Sequence, residues 1–259
     1  MKKIIFIGLL SFLLASIWQL PLSFAKPYAE KAIKGLKMKG VNGTIWNGKA
    51  EHFTINKTFL GEVAWKVDPI KSITSLSLKS SFDITGTSLT ASGLAGITPS
   101  QKLILDDTTF DLNASYINKL QKYAKLAGEL KGNIQHAELD QKSLPIVKGI
   151  IDWKNGAVTS PLQLAPGDYK AIISPDSGDI LIKLSSFDAP AELNGEIKLN
   201  KEWIYNTDLN LKPSDKSIEP MIGLLGKKQT NGSIQIKQSG DLKPFLGKKV
   251  TTTKGINNG

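Results

Sequence analysis

The sequence predicts a mainly β protein. An N-terminal transmembrane helix leads into a curved, largely antiparallel β-sheet domain, shaped as a groove or an open sandwich with one or two short helices. Three observations lead there. Residues Ile4 to Ala25 form one uncharged, largely apolar run. Beyond residue 40 the chain falls into short segments that alternate apolar and polar residues with period two, the mark of strands with one buried and one wet face. Asn-Gly pairs punctuate these segments, and Asn-Gly supplies the positive φ values that tight hairpins require.

The N-terminal run comes first. Twenty-odd apolar residues cross a hydrocarbon core of roughly 30 Å. Ile4, Leu10, Leu14 and Trp18 are its candidate anchor residues, and Lys2 and Lys3 ahead of them favour a cytoplasmic N-terminus with the remainder outside. Trp18 and Phe24 suit the far interface as aromatic anchors. The competing reading is a cleaved signal peptide, with small residues at Ser23 and Ala25 and a break at Pro21. Either way the body is exported. Tyr28–Leu36 has helical spacing and extends the rod past a kink at Pro27. The expected division is therefore 1–25 anchor, 26–40 juxtamembrane helix or linker, 41–243 exported β domain and 244–259 flexible tail.

Within the β domain, strands are expected over Ser75–Thr85, Leu103–Leu112, Asp179–Phe187 and Ser233–Gln238. Hairpin turns are expected at Asn42–Gly43, Asn47–Gly48, Asn155–Gly156, Asn194–Gly195 and Asn231–Gly232. Two stretches have helical spacing instead. One is Tyr116–Ala127, with Ser115 as N-cap and Gly128 as stop; the other is Ile218–Leu225, capped by Ser217, with Pro220 tolerated in the first turn. Val41–Ala50 and Val147–Ala157 share a Gly, an aliphatic, a Trp, an Asn-Gly pair and an Ala. This suggests two related halves, 41–128 and 129–243, although chance likeness between strands gives the same pattern.

Composition narrows the function. The net charge is +10, and all 33 basic residues are lysine. A nucleic-acid reader without arginine lacks the planar fork that reads guanine edges, so no nucleic-acid partner is expected. The lysines solvate the outer face of a β protein, or attract anionic lipid or an acidic partner. No cysteine is present, which removes disulfides, thiolate metal sites and cysteine nucleophiles. Only His52 and His136 remain as imidazoles, in neither an H-E-x-x-H nor a His-x-His arrangement, and no G-x-S-x-G elbow appears. No catalytic, metal or cofactor site is expected, and the protein is expected not to be an enzyme. Trp46, Trp65 and Trp153 are expected as core anchors, with a lipid- or partner-lined groove as the alternative.

One set of motifs is specific enough to suggest kinship. Gly43-Thr-Ile-Trp46-Asn-Gly48-Lys-Ala50, then Val63-Ala-Trp65-Lys-Val-Asp-Pro69, resembles the opening signature of the type II secretion N subunit. That signature is a G-T-x-W-x-G-x-A turn followed by a W-x-x-x-P strand. Leu130–Gly132, Gly149–Trp153, Leu164–Tyr169, Leu224–Gly226 and Gly232–Leu242 follow in the family's order, while the run around Pro161–Leu164 departs from it. The resemblance implies one inner-membrane span and a periplasmic domain related to AsmA-like β-grooves. It also implies a non-enzymatic role in exporting folded proteins across the outer membrane, other secretion subunits as partners, and no cofactor. A rival of another class is an AsmA-like lipid-handling protein supporting outer-membrane integrity, which predicts apolar positions on both faces of several strands. A small periplasmic hydrolase is a third reading, which needs a His–acid cluster that the sequence lacks.

Overall fold

Among the described residues, alternation carries the chain through fourteen strands that join one antiparallel sheet. The computed structural model describes residues 16–75, 77–119, 124–140, 143–160, 163, 165–214 and 218–246. The strands are β1 (Leu36–Gly43), β2 (Asn47–Ile55), β3 (Thr58–Val67), β4 (Leu78–Thr85), β5 (Leu89–Ile97), β6 (Leu103–Asn113) and β7 (Lys125–Leu139). They continue with β8 (Ile146–Ser160), β9 (Gly167–Asp176), β10 (Asp179–Phe187), β11 (Ala191–Leu199), β12 (Ile204–Pro213), β13 (Lys227–Lys228) and β14 (Ile234–Asp241). Their order in the sheet is their order in sequence, except that β14 pairs with β12 and β13 lies outermost. The described strands thus form a single layer, not the two facing sheets of a sandwich.

Among the described residues, the sheet is accompanied by a helical stretch at residues 16–18 and by α1 (Leu22–Ala32), α2 (Pro69–Thr74) and α3 (Glu219–Gly223). A single sheet has no second layer to cover its apolar face, so helices cover its two ends. At the first end Ala29 of α1 packs against the cluster of Leu36, Met38 and Ala50, as does Trp65. At the other, Ile222 of α3 packs on Ala191, Ile234 and Leu211. Ile234, at 0% exposure, is the largest fully buried side chain among the described residues.

Several expectations are corrected. The Tyr116–Ala127 stretch forms no α-helix where it is described, and Leu120–Tyr123 lie outside the described residues. A 3-10 turn spans Ala114–Lys119, and β7 has begun by Lys125, because pairing with β8 (Lys125 with Ser160, Ala127 with Ala157) outweighs a weak helical spacing. Ser115 does not cap through its own side chain; Asn113 Oδ1 accepts its backbone N–H at 3.0 Å. Gly128, read as a helix stop, sits in β7 at φ +99, where a Cβ would lie 2.5 Å from the Asn155 carbonyl oxygen. The Asn-Gly pairs split in role. Asn42–Gly43 closes β1 and Asn231–Gly232 precedes β14, whereas Asn47–Gly48 opens β2 and the remaining two lie inside β8 and β11. Asn155, at φ 47, is an extra residue that bulges β8 against β9. β1 opens at Leu36, inside the stretch assigned to a linker, and the division at 128/129 falls within β7.

α3 forms where the second helix was expected, with Pro220 in its first turn; Ser217 lies outside the described residues. α1 runs through Pro27 and ends at Ala32, short of Leu36. Lys243–Leu246 forms a 3-10 turn, and the tail from 247 lies outside the described residues. Strands β4, β6, β10 and β14 form where strands were expected.

Ile234→Ala is expected to lower the unfolding free energy by about 2–5 kcal/mol, and exposed Ser239→Ala by no more than about 0.5 kcal/mol. Urea unfolding of the two variants beside the parent checks this.

Candidate functional site

The signature residues meet at a joint. Residues 16–18 are helical, the chain turns at Gln19, and α1 begins at Leu22. The loop between β1 and β2 grips this turn. The Trp46 indole stacks on Trp18, with centroids 5.6 Å apart and planes 15° from parallel, while its N–H donates to the Ile17 carbonyl oxygen at 2.9 Å. The Ile45 N–H donates to the Leu20 carbonyl oxygen at 3.2 Å, and Pro21 bridges to Thr44. Beneath the loop, the Trp65 indole N–H donates to the Ile45 carbonyl oxygen at 3.0 Å.

The glycines of the signature make room for these contacts. Gly43 has φ +83, and a Cβ there would lie 2.3 Å from the Asn47 carbonyl oxygen. A Cβ on Gly48 would meet the Trp65 ring at 2.6 Å, and Ala50 is wholly buried. Gly43, Trp46, Gly48, Ala50 and Trp65 therefore act together, with Trp18 as a sixth member. Pro69 serves another local structure. It is the first residue of α2, whose opening N–H groups at Ile70 and Lys71 donate to Asp68 Oδ1, each at 3.0 Å. Trp153 lies on β8, five strands from β3, with its N–H on the Ala127 carbonyl oxygen at 2.9 Å. None of the three expected tryptophan anchors is fully buried. Ile4, Leu10 and Leu14 lie outside the described residues. No helix among the described residues is long and apolar enough to cross a membrane.

The two faces of the sheet differ in kind. Residues opposite one another in register share a face, and the face that holds Trp65, Phe82, Phe110, Ile134, Ile151, Ile173, Ile182, Ile197, Leu209 and Ile236 carries no charged residue on β1–β12 or β14. Near α3 this face closes around a cavity of about 310 Å³, lined by Trp153, Val158, Tyr169, Leu184, Leu193, Leu209, Leu211, Ile222 and Leu225. Tyr169 tilts against Trp153 with centroids 5.4 Å apart, and burial pushes its hydroxyl pKa up. Sequence reasoning singled out only Trp153 from this lining. The alternation of β9 to β12 held the rest, had its phase been carried from strand to strand.

The opposite face is laced with ion pairs: Lys49–Glu62 at 2.7 Å, Lys131–Asp111 at 3.2 Å, Lys170–Asp152 at 3.5 Å, Lys198–Asp176 at 2.9 Å and Lys237–Asp208 at 3.2 Å. The charged face also holds Ile104, Ile150, Ile172 and Leu181, opposite Glu138, Asn133, Lys183 and Lys198, so apolar positions occur on both faces of several strands, as the lipid-handling alternative expects. Asp106 accepts from Lys79 at 3.3 Å and is 2.7 Å from His136 Nδ1. Burial raises the Asp106 pKa, but the hydrogen bonds from His136 and Lys79 outweigh it, and the carboxyl is held below its ordinary 3.8. No group of three His, Asp or Glu residues that could hold a metal occurs among the described residues.

The family model for type II secretion system (T2SS) protein N matches residues 34–237. The chain belongs to this family. No significant match was found among curated proteins or among solved structures. The T2SS protein N match opens two residues before β1 and ends inside β14, so it takes in the sheet, the signature loop and α3 but not Trp18 or α1. Membership gives the chain a role in type II secretion, an association with the cell envelope, and other secretion subunits as its company.

Trp46→Ala removes a ring stack and a hydrogen bond, and is expected to cost about 1–2 kcal/mol and to speed proteolysis between residues 16 and 22. Trp46→Phe, which keeps a ring for stacking, is expected to fall between. Asp106→Asn is expected to destabilise at neutral pH by about 1 kcal/mol. A carboxylate whose pKa is lower folded than unfolded stabilises above its unfolded value, and that gain fades as pH falls through the folded value. The gap between Asp106→Asn and the parent should therefore hold at neutral pH and close below pH 3.8, as read from urea midpoints across pH.

Proposed function

We propose that the protein is a non-enzymatic inner-membrane component of the type II secretion machinery, with its sheet in the periplasm helping folded proteins leave for the outer membrane. Family membership over residues 34–237 carries this reading. The anchor lies within the uncharged run Ile4–Ala25, ahead of the turn before Pro21, and the signature joint holds the sheet to the end of that segment, through Trp46 on Trp18 and Ile17.

The mode of action we favour is scaffolding by strand addition, in which a partner's extended segment pairs with a free sheet edge. The two edges are treated differently. Along β1, the Met38 N–H donates to Glu30 Oε1 of α1 at 2.7 Å and the Leu36 N–H to the Ile33 carbonyl oxygen at 3.1 Å. At the other end, β13 covers only Ile234 and Gln235; among the described residues no strand pairs with the outer edge of β14 beyond them. That edge is the docking position for another secretion subunit.

A second reading, acyl-chain carriage, is favoured by the cavity beneath α3. A bound peptide would bring N–H and C=O groups that need partners, and burying them unpaired is costly. A hydrocarbon chain brings none, which matches a lining drawn almost wholly from Trp, Val, Leu, Ile and the ring of Tyr169.

Gene deletion discriminates the two. The secretion reading expects enzymes trapped in the periplasm with unchanged detergent resistance; normal secretion with a leaky outer membrane would overturn it as the main role. The acyl reading expects lipid to co-purify with the parent and to be lost from Leu193→Asp. Lipid-free parent protein, by mass spectrometry of its extract, removes that reading.

A further inference from the structure

α1 is amphipathic in an unusual sense: its sheet-facing side is adequately covered, and its outer side is apolar as well. Leu22 is buried and Ala29 packs on the β1–β2 cluster. On the opposite side Phe24 and Tyr28 stand one turn apart with ring centroids 5.9 Å from each other, and they are 59% and 66% exposed. Trp18, 53% exposed, and Ile33, 52% exposed, add exposed apolar side chains before and after the helix. Aromatic side chains gathered on a surface, unlike scattered single ones, call for an occupant.

The charges around this tract say which. Between residues 26 and 39 there are five lysines, and Glu30 is the one acidic residue in the first fifty. Glu30 is turned toward the sheet, with one oxygen on the Met38 N–H at 2.7 Å and the other 3.6 Å from Lys37. Its carboxyl is held below the usual pKa range, first by that N–H and then by Lys37 and Lys26. Lys31, Lys34 and Lys39 are exposed and ion-pair with nothing among the described residues. Residues 4–15, which precede this tract in the sequence, are uncharged and almost wholly apolar. Aromatic rings that sit at headgroup depth, flanked by lysines and preceded by an apolar run, fit an anionic bilayer surface.

We propose that the outer side of α1, built from Phe24 and Tyr28 and flanked by Lys31 and Lys34, lies in the headgroup layer of an anionic bilayer as a second membrane contact, past the turn that separates α1 from the chain ahead of it. This rests on the inner-membrane reading above. The contact fixes the pose of the sheet: the joint at Trp46 and the covered edge at β1 sit against the membrane, and the open edge of β14 points away from it.

The chain has no cysteine, so a single introduced one reports its own position. Full-length Phe24→Cys and Tyr28→Cys, with Lys237→Cys on β14 as the aqueous reference, are labelled with a nitroxide. They are reconstituted into phosphatidylcholine vesicles with and without phosphatidylglycerol. The expected result is loss of relaxation by a water-soluble nickel complex at 24 and 28 but not at 237, strongest with phosphatidylglycerol. Each of Lys31→Gln and Lys34→Gln should weaken the docked state about fivefold. Labels at 24 and 28 as open to the nickel complex as the label at 237, on a chain that still sediments with vesicles, overturn this surface and leave the anchor standing. A chain that does not associate with vesicles overturns both. Shielding that is equal in the two lipids, or that disappears on diluting protein at constant lipid, also overturns the proposal, the latter pointing to a second copy as the occupant.

Discussion

Everything in this sheet depends on keeping the phase of alternation from one strand to the next. Side chains alternate with a period of two, so a slip of one residue in any pairing would send that strand's apolar set to the wet side. In β8 such a slip would exchange Ile151 and Trp153 for Asp152 and Lys154. Extra residues are absorbed by bulges. Asp107, at φ 45, is the surplus residue of β6 opposite β5, and Gly93 there admits Thr108, whose Oγ1 would be 2.3 Å from a Cβ. Asn155 does the same for β8. Ion pairs on the charged face add registration more than stability, because exposed pairs contribute little individually.

A one-layer sheet with a charge-free face leaves apolar surface that no second sheet covers. Helices solve this at the ends, and a cavity remains where α3 meets the face. The same shortage explains the scarcity of fully buried large side chains and the partial exposure of Trp46, Trp65 and Trp153. Those tryptophans bridge elements instead of filling a centre. Trp65 supports the signature loop, Trp46 clasps the N-terminal segment, and Trp153 ties β8 to β7 through the Ala127 carbonyl. A family signature built on Gly, Trp, Gly, Ala and Trp is in this light the specification of one mechanical joint.

The β class and four of the strands were legible from alternation alone, and α3 from its spacing and Pro220. The signature loop was legible as a motif, but its purpose was not, because Trp18 and Trp46 are 28 positions apart and no local rule connects them. The helix expected over Tyr116–Ala127 gives way to strand by Lys125, where periodicity is short and a partner strand decides. Asn-Gly pairs misled for a related reason: a residue pair that permits positive φ also serves bulges and close strand approaches, as at Gly195, where a Cβ would be 2.2 Å from the Asp208 carbonyl oxygen. The cavity lining was invisible because it draws on β8 to β12 and α3 at once, and only the register aligns those positions.

The sequential strand order has a kinetic meaning. From β1 to β12 each strand pairs with the one made just before it, so contacts stay local in sequence despite the all-β class, and local contacts favour quick folding. A growing or translocating chain can add hairpins to an existing edge, beginning at the end clasped by Trp46, without holding long unpaired segments in waiting. The reversed pair at the C-terminus breaks this rule. β14 reaches β12 past β13 and α3, so those elements close last, and an interrupted chain would stop as a shorter sheet of the same kind, with its growing edge still able to accept a strand.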